Sequence, residues 1–170
     1  MNGIVFLIGY MGVGKTTVGK KLAKYFEVDF VDTDRIIERK FSCSVSEYFE
    51  KFGEDSFRIE EQKVLKNIIN DSEGVIVSVG GGLPCFLGNM ELMNTSGITV
   101  YLKRPSKELF QRLKQGKSKR PLIAEMSDEQ LLVFIEHSLK SREKYYSQAL
   151  LTADRNSQEP EELAKLINSV

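Results

Sequence analysis

A chain of 170 residues, 41% hydrophobic and 28% charged, has the size of one ordinary domain with enough apolar residues for a core. Its 24 Lys and Arg balance its 24 Asp and Glu, so the overall basic bias that marks a binder of nucleic acid or of an anionic membrane is missing. The two cysteines are too few for a disulfide framework, no apolar run approaches the about 20 residues of a membrane span, and no signal-peptide pattern opens the chain. A reduced, cytoplasmic setting without nucleic-acid or membrane partners is therefore expected.

Short runs rich in β-branched or aromatic residues recur at Ile4 to Ile8, Val28 to Val31, Val75 to Val79, Ile98 to Leu102 and Ala149 to Ala153. They do not alternate cleanly, which suits strands covered on both faces. The stretches between them carry helical periodicity. Val18, Leu22, Tyr25 and Phe26 mark one helical face. Ser44 and Glu47 have capping-box spacing, and Gly53 is placed to end that helix. Phe57, Glu61, Val64, Leu65 and Ile68 mark a longer helix, apolar at all but one of these positions. Pro105 suits a first helical turn before Leu109, Phe110 and Leu113, with Gly116 as a stop. Leu132, Ile135 and Leu139, then Leu163, Leu166 and Ile167, continue the pattern. Strands alternating with helices connect most naturally by crossovers, which predicts an α/β fold in one domain over residues 1–170, with helices on both faces of a parallel sheet of about five strands.

Directly after the first strand stands Gly9-Tyr10-Met11-Gly12-Val13-Gly14-Lys15-Thr16, which fits the phosphate-loop pattern G-x-x-x-x-G-K-S/T at a strand-to-helix junction. Glycines let successive N–H groups turn inward, and the following helix adds the positive end of its dipole. This predicts ATP binding by Gly12, Val13, Gly14, Lys15, Thr16 and Thr17, with Lys15 on the β and γ phosphates and the Thr16 hydroxyl on Mg²⁺. A guanine-reading N-K-x-D is missing, and the third strand ends in Gly80-Gly81-Gly82 where a motor ATPase would place an acidic pair. Both observations favour a kinase. Asp32-Thr33-Asp34 follows the second strand, where alternation would aim both carboxylates toward the carboxyl end of the sheet. One acid would then serve Mg²⁺ and the other an acceptor hydroxyl, although Asp34 before Arg35 also suits a helix cap.

Taken together, these residues resemble the shikimate kinases. The phosphate loop, the D-T-D, the G-E-x-x-F-R-x-x-E at Gly53 to Glu61, the Gly80 to Gly82 triplet, the R-P-L at Arg120 to Leu122 and the R-x-x-x-Y at Arg142 to Tyr146 occur in that family's order. The resemblance implies a phosphate-loop NTPase fold of the nucleoside-monophosphate-kinase type, a three-layer α/β/α arrangement with a mobile lid over about residues 112–126 and a substrate-binding segment over about 33–61. It implies a monomer that phosphorylates the 3-hydroxyl of shikimate with ATP and Mg²⁺. Lys15, Asp34 and Arg120 would be catalytic, with Arg120 closing over ATP. Asp34, Arg58, Gly80, Gly81, Gly82 and Arg142 would hold shikimate, and Thr16 and Asp32 the metal. Arg112 is a further candidate for adenine stacking, while His137, in a helical stretch, reads as a surface or packed residue and not a catalyst, and Cys43 and Cys85 have no ligand spacing. The competing readings are a kinase of another small acceptor, such as a nucleoside monophosphate or gluconate, and a nucleotide-dependent binding module without catalysis.

The balanced charge conceals its layout. Residues 103–120 carry eight basic residues against Glu108, whereas residues 47–61 hold six acids against Lys51 and Arg58.

Overall fold

Every residue of the first strand, β1 (Ile4–Ile8), is buried in the computed structural model, which describes residues 3–117 and 120–170. Burial on both faces places β1 at the centre of a parallel five-stranded sheet of order β2-β3-β1-β4-β5. The other strands are β2 (Asp29–Asp32), β3 (Val75–Ser78), β4 (Gly97–Leu102) and β5 (Leu151–Ala153). Register is continuous across the centre, with Ile4 beside Val75 on one side and Gly97 on the other.

Helices α1 (Lys15–Phe26), α2 (Thr33–Phe41), α3 (Val45–Asp71), α4 (Asn89–Ser96), α5 (Ser106–Lys114), α6 (Pro121–Ala124), α7 (Asp128–Tyr146) and α8 (Pro160–Ile167) complete the chain. The step from β1 to β2 runs one way across the sheet, and the steps into β3, β4 and β5 run the other. Right-handed crossovers therefore put α1 on one face and α3, α4 and α7 on the opposite one. Helix α8 packs beside α1, giving the expected three layers. Leu22 of α1, Leu65 of α3 and Leu163 of α8 are each fully buried, a gain of about 1.5–3 kcal/mol per side chain.

Element ends differ from the sequence reading for identifiable reasons. Val28 is not in β2, because its N–H donates to Ala23 O (3.0 Å) to close α1. Residues 149 and 150 form a bend, with Leu150 N–H bonded to Thr99 Oγ1 (2.9 Å), so β5 starts at Leu151. Pro105 precedes α5, its carbonyl accepting from the N–H groups of Glu108 and Leu109. The Ser44 capping box is formed, with Ser44 N–H on Glu47 Oε2 (2.7 Å) and Glu47 N–H on Ser44 Oγ (3.2 Å). Gly53 breaks α3 at φ 79° and ψ 166°, but the helix resumes at once. The bend lets Phe49 and Tyr48 fold back on Phe57, with ring centroids 4.7 and 5.6 Å apart.

Helix α1 lies close to the sheet at Gly19, where a Cβ would stand 3.0 Å from Phe30 Cδ2 and 3.1 Å from Leu7 Cδ1. That approach sets the distance between the start of α1 and the end of β2. Gly19→Val is expected to lower stability by about 1–3 kcal/mol in urea unfolding, an overpacking effect. An unchanged midpoint would show that α1 has room to withdraw.

Candidate active site

The phosphate loop leaves β1 and reaches α1 through Gly14, whose φ of 108° is strained for any residue with a Cβ. No side chain caps α1 at this end, which leaves its first N–H groups for a ligand. Val13 is buried beneath the loop with its N–H on Tyr10 O (3.2 Å), while Thr17 faces solvent in the first turn of α1. Lys15 Nζ bridges the loop, donating to Gly9 O (2.8 Å) and Tyr10 O (3.2 Å). Burial draws the Lys15 pKa down to about 8, against the pull of the Asp34 and Asp32 charges. The Arg112 guanidinium lies over the loop, 3.2 Å from where a Cβ of Gly14 would be.

The Asp32 and Asp34 charges both act on Lys15, but strand alternation is not what places them. The strand stops at Asp32 and α2 begins at Thr33, so Asp34 already lies in a helical turn. Asp32, rather than Asp34, is the cap: its Oδ1 accepts from Arg35 N–H (3.4 Å), and its Oδ2 accepts from the Thr16 hydroxyl (2.9 Å). Asp34 is thereby free to turn toward Gly80, where a Cβ would fall 2.6 Å from Asp34 Oδ1 and closer still to Glu61 Oε1.

Asp34, Arg58, Gly80, Gly81, Gly82, Arg120 and Arg142 all line one cavity of about 280 Å³. Met11, Phe49, Phe57 and Leu122 add apolar wall. Arg58 is fixed at the cavity by two carboxylates, Nη1 on Glu61 Oε2 (2.5 Å) and Nη2 on Glu54 Oε1 (2.6 Å). The Phe86 ring covers its face at 4.6 Å. Both terminal nitrogens abut Gly82, 2.7 Å from a would-be Cβ, so a side chain there would displace the guanidinium. Arg142 stands 5.4 Å over the Tyr10 ring, and Arg120 Nη1 donates to Gly116 O (2.9 Å). Burial, reinforced by the Asp32 charge, raises Asp34 to about 6. Burial raises Glu61 to about 7, more than its pairing with Arg58 draws it back.

A larger groove of about 610 Å³ lies between α5, α7 and the end of β5, lined by Tyr101, Leu139 and Asp154 among others. The smaller cavity is the better candidate because the convergent charges and the phosphate loop meet there, at the carboxyl ends of the strands. Glu61, Glu54 and Phe86 carry no assignment from the sequence alone. Glu61 had a signal: it is the one acid on an apolar helical face, and its side chain is 1% exposed. His137 is exposed on α7, and the predicted lid over 112–126 includes residues 118 and 119, which lie outside the described residues.

A phosphate loop joined to a cationic acceptor cavity across the end of a parallel sheet defines a phosphate-loop kinase acting on a small anionic molecule. Comparison with known proteins gives the family: the shikimate kinase family matches residues 11–170, and the chain belongs to it. The shikimate kinase of Azobacteroides pseudotrichonymphae is 48% identical over 145 residues, covering 85% of each chain. The crystal structure of shikimate kinase from Bacteroides thetaiotaomicron superposes with a TM-score of 0.91 at 37% identity, covering 99% of this chain and 98% of that one. A structure of the Acinetobacter baumannii enzyme in complex with shikimate gives 0.87 at 34% identity, covering 99% and 94%.

The raised Asp34 pKa fixes a sign for stability. The native state holds that proton more tightly than the unfolded chain, so stability is lost as pH rises from about 4 to 6 and stays lost above. Asp34→Asn is expected to stabilise the protein by about 1–3 kcal/mol at pH 8 and by less at pH 4 in urea unfolding. Equal effects at both pH values would contradict the desolvated carboxylate.

Proposed function

We propose that the chain transfers the γ-phosphoryl group of ATP to the 3-hydroxyl of shikimate, giving shikimate 3-phosphate and ADP, on the route to chorismate and the aromatic amino acids. One observation carries the reading: Asp34, close to the phosphate-loop Lys15, lines a cavity that also presents Arg58 and Arg142. Shikimate combines a carboxylate with ring hydroxyls, so it needs a cationic clamp at one end and a hydrogen-bond acceptor at the other. Planar guanidinium groups match the carboxylate through paired hydrogen bonds.

In the transfer, the acceptor oxygen forms a bond to Pγ as the bond from Pγ to the ADP bridging oxygen breaks. The hydroxyl proton passes to the Asp34 carboxylate. Since phosphoryl transfer has a loose transition state, Asp34 and the arginines act largely by holding the acceptor in line. Lys15, Arg120 and the Gly12 to Thr17 segment oppose charge on the phosphates, and Gly80 to Gly82 permit backbone N–H groups to approach the acceptor. Thr16 and Asp32 form a hard oxygen pair 2.9 Å apart that suits Mg²⁺, which binds few protein ligands and keeps most of its shell as water and phosphate. Among the described residues no cluster of three or more His, Cys, Asp and Glu competes for a metal. Bound Mg²⁺ supplies charge neutralisation on the phosphates.

The same reading includes closure of residues 112–126 over the nucleotide, a role supported by their basic character and by the position of Arg120 on the cavity wall. It also includes a monomeric, cytoplasmic enzyme without nucleic-acid or membrane partners. Balanced net charge supports that part, and no helix among the described residues is long and apolar enough to cross a membrane.

With ATP and Mg²⁺, shikimate is expected to stimulate ADP release, and gluconate and nucleoside monophosphates to leave it at background; stimulation by one of these others instead would reassign the acceptor. The kcat/KM for shikimate should rise with pH through about 6 as Asp34 ionises, and the kcat/KM for ATP should fall through about 8 as Lys15 of the nucleotide-free enzyme loses its proton. Flat profiles from pH 5 to 9 would remove both groups from the reaction. Arg58→Ala is expected to raise the shikimate KM by about 10–100-fold with the ATP KM within about twofold, the loss of a charge-assisted pair. An equal rise in both would place Arg58 outside the acceptor site.

A further inference from the structure

The glycine triplet has an anchor in α7. Tyr146 is fully buried, and its hydroxyl donates to Gly81 O at 2.5 Å across 65 positions of sequence. The neighbouring carbonyls are held locally, Gly80 O by Leu83 N–H (3.0 Å) and Gly82 O by Cys85 N–H (2.9 Å), and Gly80 N–H donates to Thr33 Oγ1 (2.9 Å). Gly81 O is the triplet carbonyl that a distant side chain holds.

Three consecutive glycines have wide conformational freedom, so a peptide among them needs an external constraint to keep one orientation. The Gly81–Gly82 peptide is trans, which points its N–H away from its carbonyl and hence away from Tyr146. On that other side Gly82 lines the cavity and abuts the Arg58 guanidinium. Tyr146 also follows Arg142 by four residues, one turn along the same face of α7. Arg142 Nη1 in turn stands 3.4 Å from where a Cβ of Gly81 would be. One hydroxyl therefore ties the triplet to the helix that carries the second arginine.

We infer that Tyr146 is a positioning residue for the acceptor: its hydroxyl fixes the Gly81–Gly82 peptide so that the Gly82 N–H faces the cavity, and it sets the triplet at a fixed distance from Arg142. Burial pushes the Tyr146 phenol well above its ordinary range, more than the Arg142 charge draws it back, so the hydroxyl stays a donor wherever the protein is folded. The ring itself is held by Tyr101, with centroids 5.1 Å apart, and the Tyr101 hydroxyl is engaged elsewhere, on Glu143 Oε2 (2.7 Å).

The inference rests on the assignment of this cavity to shikimate, which turnover of the wild-type protein tests by itself. Tyr146→Phe and Tyr101→Phe each delete one buried hydroxyl from the same stacked pair, and only the first touches the triplet. Tyr146→Phe is expected to raise the shikimate KM about tenfold, with the ATP KM within about twofold, while Tyr101→Phe lowers the thermal midpoint and leaves both KM values in place. An unchanged shikimate KM in Tyr146→Phe, or equal shifts in both variants, would overturn the inference while leaving the kinase reading intact if wild-type turnover is normal. Should Tyr146→Phe fail to fold, the Tyr146 hydroxyl proton of the wild-type protein can be followed by NMR. A resonance that shifts with shikimate and not with ADP supports the positioning role, and one indifferent to shikimate refutes it.

Discussion

Charge taken out of water at the carboxyl end of the sheet is the constraint from which the rest of the site follows. Lys15, Asp34, Glu61 and Arg58 stand within one small region around Gly80, and burial works against the charged form of each. Such groups persist because they offset one another. Glu61 and Glu54 together raise the Arg58 pKa against the effect of burial, and Asp34 resists the loss of the Lys15 proton. The arrangement leaves a carboxyl group that ionises near 6 and an ammonium group that keeps its proton to about 8, so that both are charged at neutral pH.

The fold supplies the means of assembling these groups. Lys15 comes from the loop after β1, Asp34 from the first turn after β2 and the triplet from the end of β3, three neighbouring strands in the sheet. Arg58 arrives from α3 once the chain has bent at Gly53, and Arg142 from α7. The absence of side chains at Gly80 and Gly82 is what allows Asp34, Glu61 and Arg58 to converge, since a Cβ at either position would collide with them. Exposed Glu54, at 60%, and buried Glu61, at 1%, hold Arg58 from opposite environments. The Glu61 pair is therefore the stronger restraint and the Glu54 pair the weaker, more screened one.

Much of this could be read from the residues in order. Five apolar runs gave the strands because two-sided burial in a parallel sheet leaves a continuous hydrophobic signature, and the phosphate loop is legible because its glycine spacing answers to backbone geometry. What eluded the sequence depends on through-space partners. That Asp32 and not Asp34 is the helix cap turns on a helix that starts at Thr33, two residues before the start that a cap at Asp34 would give. The strand ends shift by one or two residues because Val28 and Leu150 spend their N–H groups on a helix cap and on Thr99. Glu61 reads as a lone acid on an apolar face until Arg58 is seen beside it, and Tyr146 is separated from Gly81 by more of the chain than any local pattern can span. The alternating acidic and basic stretches likewise gain meaning only in space, where Arg58 leaves its acidic segment to face the cavity.

A crystal structure with shikimate and ADP bound tests the central claim most directly. The shikimate carboxylate is predicted to lie between Arg58 and Arg142, with a ring hydroxyl within hydrogen-bond distance of Asp34 and facing the phosphate loop. Shikimate bound in the larger groove between α5 and α7, or in the cavity with its carboxylate turned toward Asp34, would contradict the account.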